Sequence, residues 1–206
     1  MMIFPSYYLA PISYYALLAQ ADEVGIDVAS PYRKQSLRNR CWIASPNGPL
    51  ALTVPVVKFV PYHTPMRDIR ISDHGNWRHL HWNALVSSYS RTPYFEFYAD
   101  EFAPFYEKRW DFLVDYNAAL QQMLCRELEI SHAMGEPEEY RREATDNTIL
   151  QPEDYYSSGQ DNASQGQARY YQLFSDRQGF MPNLSIVDLL FNMGPESILY
   201  LSTWKQ

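Results

Sequence analysis

Cys41-Trp42-Ile43-Ala44, then Ser45-Pro46-Asn47-Gly48-Pro49, then Leu50-Ala51-Leu52-Thr53-Val54-Pro55-Val56-Val57 follow one another without interruption. Two apolar runs joined by so short a turn segment read as an antiparallel hairpin, and Asn47-Gly48 suits the positive φ angles of a tight turn. Pro55 has no N–H to give to a ladder, which places the second strand at an edge or ends it there. A two-stranded hairpin needs a partner layer to bury its apolar face, so the flanking sequence decides the fold class.

On the N-terminal side, Met2 to Phe4 is a short apolar run, Pro11 opens a helix over Ile12 to Ala21, and Val24 to Val28 forms a second strand bounded by Asp22 and Ser30-Pro31. Proline is favoured at a helix start. Strand, helix, strand is the opening of an α/β unit. Between this unit and the hairpin lies Tyr32-Arg33-Lys34-Gln35-Ser36-Leu37-Arg38-Asn39-Arg40, which holds four of the chain's 17 Lys and Arg side chains. A basic cluster held at a sheet edge in an otherwise acidic chain suits an anion, although many charge runs are simply solvated.

On the C-terminal side, Ile69-Arg70-Ile71 reads as a further short strand. From Asn76 the period becomes helical, with Trp77, His81, Ala84, Leu85 and Ser88 on one face. His79 falls about 200° around such a helix from His81, so the pair cannot grip one metal. His63, His74 and His132 also lack ligand spacing. A turn at Thr92-Pro93 precedes an aromatic passage, Tyr94 to Tyr106, in which Phe102, Phe105 and Tyr106 sit at helical spacing. Phe112, Leu113, Tyr116, Ala119, Leu120, Met123 and Leu124 then form an amphipathic stripe over a helix from Asp111 to Leu128. The segment 136–169 carries eight acidic against three basic residues and few apolar ones, which reads as a mobile loop rather than a second domain. Tyr170 to Phe174 is a candidate strand. Ser185 with Asp188 forms a capping-box pattern before an apolar helix, which Gly194 terminates before Pro195 starts another. The expected architecture is α/β: one domain over 1–206, with a small mixed sheet containing the Asn-Gly hairpin, packed by several helices.

Composition narrows the function classes. At 206 residues, 46% hydrophobic and 16% aromatic, the chain has material for a continuous core. A net charge of −7 argues against nucleic-acid binding, which needs a broadly basic face. Two cysteines, Cys41 and Cys125, give no disulfide framework and no thiolate metal site. The first residues lack a basic leader, and no apolar run is long enough to span a bilayer, so a cytoplasmic location is expected, with no cofactor and no metal.

The order of these motifs resembles the WbqC-like protein family, in its Bacteroidetes-type branch. The resemblance spans nearly the whole chain. It rests on Tyr8-Leu9-Ala10-Pro11, Ala21-Asp22, Tyr32-x-Lys34-Gln35 with Asn39-Arg40, Leu52-Thr53-Val54-Pro55-Val56, Trp77 with His81, Pro93-Tyr94-Phe95, and Leu184-Ser185-Ile186-x-Asp188-Leu189-Leu190-Phe191-Asn192-x-Gly194. The chain departs from the wider family pattern twice. Phe4-Pro5 stands where Gln-Pro is expected, and Asp27 stands alone where an acidic pair is expected after the second strand.

The resemblance implies a role in the making of O-antigen and other surface polysaccharides. The suggested activity is transfer of an acyl or aminoacyl group, such as glycine, to a nucleotide- or lipid-linked sugar. A non-catalytic binding protein for a phosphorylated sugar or nucleotide in the same pathway is the alternative. Under either reading the partner is a small anionic molecule, a sugar phosphate or nucleotide sugar, together with other enzymes of the pathway. Lys34, Arg38 and Arg40 would hold the phosphates, since Arg offers a planar donor fork and Lys a point charge. Asn39, Tyr8, Tyr32 and Trp77 complete the expected binding set. His81 is the candidate general base, because its ordinary pKa lies near working pH, and Asp27 is the second candidate.

Overall fold

Strand β1 (Met2–Pro5) and strand β2 (Val24–Asp27) pair in parallel, Met2 opposite Val24 and Pro5 opposite Asp27, in a computed structural model that describes residues 2–60, 63–130 and 168–204. Parallel pairing requires a crossover, and helix α1 (Ile12–Gln20) supplies it. Ile12, Ser13, Tyr14, Tyr15, Ala16 and Leu18 of α1 are all buried, so this helix is surrounded rather than amphipathic.

The hairpin follows as β3 (Arg40–Ser45) and β4 (Gly48–Thr53), paired antiparallel from Arg40 opposite Thr53 to Ser45 opposite Gly48. Its turn is Pro46 and Asn47. Gly48 alone takes a positive φ, at 101°, because the ring of Pro46 holds a negative one. Ser45 Oγ donates to the Gly48 carbonyl at 2.7 Å and accepts from Asn47 N–H at 3.2 Å, which closes the turn. The α/β class and the hairpin expected from the sequence are therefore present, with the parallel and antiparallel pairs forming two separate two-stranded sheets.

Two of the expected strands do not form. Ile69 to Ile71 makes only single bridges, Val56 with Ile71 and Arg70 with Phe112. Tyr170 to Phe174 is irregular, because Tyr170 and Gln172 turn their side chains into the core instead of meeting a neighbouring strand.

The expected helices form as α2 (Trp77–Tyr89), α3 (Phe95–Glu107), α4 (Leu113–Glu127), α6 (Ile186–Met193) and α7 (Ser197–Ser202), and a short helical turn that the sequence did not announce, α5 (Ser175–Gln178), precedes α6. Phe191 on α6 is the hub of the core, with the rings of Tyr89, Phe95 and Phe102 at centroid distances of 5.2, 5.1 and 5.2 Å. Ser185 caps α6 by accepting from Val187 N–H, but Asp188 does not reach back to complete a capping box. Its carboxylate instead accepts from Tyr89, Tyr170 and Gln172 inside the core. The polar segment 136–169 lies, except for its last two residues, outside the described residues.

Candidate functional site at the ends of the parallel strands

Because β1 and β2 run the same way, their carboxyl ends emerge together, and in α/β units this is where ligands bind. Ser6 follows β1 and Asp27 ends β2, both buried. Asp27 Oδ1 accepts from the backbone N–H groups of Ala29 at 3.0 Å and Ser30 at 3.1 Å, an Asx turn that fixes the plane of the carboxylate. Oδ2 of the same side chain, on a residue 0% exposed, finds no protein partner among the described residues.

Asn117 closes the site from α4. Its Nδ2 donates to the Arg38 carbonyl at 2.9 Å and to Ser6 Oγ at 3.3 Å. The Arg38 carbonyl can only accept, so this contact fixes the orientation of the amide and leaves Asn117 Oδ1 buried and unpartnered. Arg38 itself is 6% exposed, and its Nε and Nη1 find no partner among the described residues. An orphaned buried polar group costs roughly 1–3 kcal/mol, and more when charged, so several of them in one place mark a site where something else completes the bonding.

The rest of the basic stretch divides. Tyr32 is buried edge-on against Phe59, with ring centroids 4.8 Å apart. Burial pushes its hydroxyl up to about 12, with the Arg40 and Arg38 guanidinium groups holding that rise down. Arg40 donates from Nε to Thr53 Oγ1 across the hairpin at 2.9 Å. Asn39 donates to the Val54 carbonyl at 2.7 Å and so helps to tie the hairpin to the loop. Lys34 is exposed, its Nζ 5.5 Å from the centre of the Phe59 ring.

Tyr8, Trp77 and His81 form a second, aromatic cluster. The Tyr8 hydroxyl is hydrogen-bonded to Nδ1 of His81 at 3.0 Å and to the Tyr106 hydroxyl at 3.1 Å. Tyr8 and Tyr116 stack at 5.7 Å, and Trp77 packs edge-on to His81 at 5.2 Å while its Nε1 donates to the Ser72 carbonyl. Burial holds His81 down to about 4, and a hydrogen bond to the Thr53 backbone carbonyl pulls weakly the other way. The imidazole is therefore neutral near pH 7, with both ring nitrogens facing protein groups. The clusters adjoin: Tyr116 precedes Asn117 on α4, and Tyr8 N–H donates to the Leu37 carbonyl at 3.0 Å.

The structure thus places Asp27 at the strand ends with Arg38 joined to them through Asn117, keeps Tyr32 against Phe59 and Arg40 on the hairpin, sets Tyr8, Trp77 and His81 in the neighbouring cluster, and leaves Lys34 at the surface. Ser6 and Asn117 were not expected. Asn117 had a readable signal, since it shares the buried face of α4 with Leu113 and Leu120 at offsets of four and three and is the polar residue there. Ser6 could have been found from its place just beyond a parallel strand. An open groove of about 520 Å3 between α3 and α4, lined among others by Phe105, Trp110, Met123 and Arg126, includes none of these residues. No helix is long and apolar enough to cross a membrane, and no group of three or more His, Cys, Asp or Glu could hold a metal ion, both among the described residues.

Comparison with known proteins gives two findings. The model of the WbqC-like protein family matches residues 6–155. A protein of Mycobacterium tuberculosis named "Uncharacterized protein Rv1507c" is 31% identical over 227 residues, covering 99% of this chain and 98% of that one. No solved structure matches.

Proposed function

The chain belongs to the WbqC-like protein family, and from that premise we propose that it binds a sugar phosphate or nucleotide sugar at the ends of β1 and β2 and transfers an acyl or aminoacyl group to the sugar, in surface polysaccharide synthesis. The observation that carries this is Arg38, a residue 6% exposed whose guanidinium Nε and Nη1 are buried and meet no protein acceptor among the described residues. A phosphate supplies the missing acceptors and the missing charge together. Asp27 supplies the base. Its Oδ1 is anchored while Oδ2 is uncommitted, whereas Nδ1 of His81 is taken up by Tyr8. In the transfer, a hydroxyl or amine of the sugar attacks the carbonyl carbon of the acyl donor and its proton passes to Asp27. The bond to the donor's carrier then breaks, and the carrier leaves with the electron pair and takes the proton.

Binding without transfer is the second reading. It is favoured by the enclosure of His81, and by Asp27 being the one carboxylate among the described residues that ends a strand at this site. Titration with glucose 1-phosphate and UDP-glucose tests the shared part: stabilisation of the native chain that is lost in Arg38→Met is expected, and stabilisation unchanged by that substitution overturns the site. Incubation of the same ligands with acyl and aminoacyl thioesters, read as mass gain of the sugar, separates the readings. Binding with no mass gain from any donor selects the binding protein.

A further inference from the structure

The orphaned atoms at the strand ends are of two opposite kinds. Arg38 Nε and Nη1 are donors, while Asp27 Oδ2 and Asn117 Oδ1 are acceptors. They do not satisfy one another: Arg38 and Asp27 form no ion pair within 4.0 Å, and Asn117 spends its donors on the Arg38 carbonyl and Ser6. A phosphate alone answers only the donors, and it brings further negative charge beside the Asp27 carboxylate. A hydroxyl brings one donor and no charge. An ammonium brings three donors and the charge that Asp27 opposes.

We infer that the site takes an amino-sugar phosphate, with the phosphate on Arg38 and the sugar's ammonium on Asp27 Oδ2 and Asn117 Oδ1. This rests on the anion-site reading above and sharpens it, since it names the functional group that distinguishes the substrate from other phosphorylated sugars. It also gives Asp27 a second task. A carboxylate that holds an ammonium is placed to take its proton and release the amine as a nucleophile. Arg38 belongs to the Tyr32 to Asn39 loop, whose Arg33, Lys34 and Gln35 face solvent while Arg38 is buried. That loop is tied through Tyr32 N–H to Thr64, through Tyr8 N–H to the Leu37 carbonyl, through Asn117 to the Arg38 carbonyl and through Val54 N–H to the Asn39 carbonyl.

Calorimetric titration of the full chain with glucosamine 1-phosphate, glucose 1-phosphate, N-acetylglucosamine 1-phosphate and glucosamine decides the matter. Glucosamine 1-phosphate is expected to bind about ten times or more tighter than glucose 1-phosphate, since a buried charge pair replaces a hydroxyl contact. The acetylated sugar, which keeps the nitrogen but loses the charge, should show no such preference. Asp27→Asn should erase the preference. Equal affinity for glucosamine 1-phosphate and glucose 1-phosphate, or a preference that survives Asp27→Asn, overturns the inference and leaves the anion site standing. Binding of none of the phosphates by the native chain removes the anion site and the inference with it. Should Asp27→Asn fail to fold, the comparison of free and acetylated amine on the native chain still decides.

Discussion

The Tyr8 hydroxyl and Nδ1 of His81 share a hydrogen bond of 3.0 Å, which joins two side chains 73 positions apart in sequence and holds the imidazole inside an aromatic cage. That cage sets a pH dependence whose sign follows from the direction of the shift. His81 titrates at about 4 in the folded chain against 6.5 when unfolded, so the unfolded state binds the proton more readily. The stability His81 contributes is fully present above pH 6.5 and is lost as pH falls towards 4. The loss amounts to about 3 kcal/mol across that window. Urea unfolding at pH 7, 6, 5 and 4 should show this slope, and His81→Gln should flatten it whatever that substitution costs at neutral pH. A slope that is the same in both proteins would mean that His81 is not held neutral by burial.

Asp188 behaves in the opposite sense. Burial raises its carboxyl above the ordinary range, while hydrogen bonds from Tyr170, Tyr89 and Gln172 pull it back. A raised carboxyl favours the folded state below its unfolded pKa and loses that contribution as pH rises through the folded value. Asp188→Asn removes this dependence. It also replaces one accepting oxygen by an NH2 group among three donors that arrive at 2.9, 2.5 and 2.9 Å. Asparagine therefore leaves at least one donor facing a donor, at about 1–3 kcal/mol for each group so stranded. Denaturation at pH 7 reads the cost; a variant within experimental error of the native chain would show that the carboxylate is not the organising acceptor.

Gly194 ends α6 at φ 54° and ψ −130°, a conformation open to glycine and strained for other residues, and a Cβ there would run into the Tyr94 ring. Gly194→Ala should lose about 1–3 kcal/mol from backbone strain alone, with the collision added to it. The collision is separable: in a Tyr94→Ala background only the backbone part remains, so the two substitutions should be strongly non-additive. Additive losses in urea denaturation would place the whole effect in the backbone.

Periodicity carried much of this fold into view. Because each signal is local, the stripe through Tyr116, Leu120 and Leu124 gave α4, the spacing of Trp77, His81 and Leu85 gave α2 and the inward direction of His81, and Asn47-Gly48 between two apolar runs gave the hairpin, though its turn falls one residue earlier, at Pro46-Asn47. The site was only partly legible. The basic stretch announced an anion, but charge in a sequence carries no direction, and it took the packed loop to send Arg38 inward and Lys34 to solvent. The juncture of Ser6, Asp27 and Asn117 is non-local, set by the Pro5 to Asp27 register and by a hydrogen bond between residues 111 positions apart. Asp188 misled for a related reason. Ser-x-x-Asp is a local capping pattern, and only the arrival of Tyr89 and Tyr170 shows that its carboxylate is used elsewhere.

Arg38 yields the prediction that most directly links stability to function. Its aliphatic stem packs in a buried position, while the guanidinium carries two donors that the protein does not satisfy. Methionine keeps a stem of similar length and removes the charge. Replacing buried ionic groups by apolar ones of similar volume is often neutral or stabilising, by about 1–4 kcal/mol in the favourable cases. Asn117 bonds to the Arg38 backbone carbonyl, which the substitution leaves in place. Arg38→Met should therefore raise the thermal midpoint of the free protein while abolishing stabilisation by sugar phosphates. Conservation of ligand stabilisation in Arg38→Met would show that the anion is held elsewhere, and a large drop in the free protein's midpoint would show that the guanidinium is completed by the protein itself.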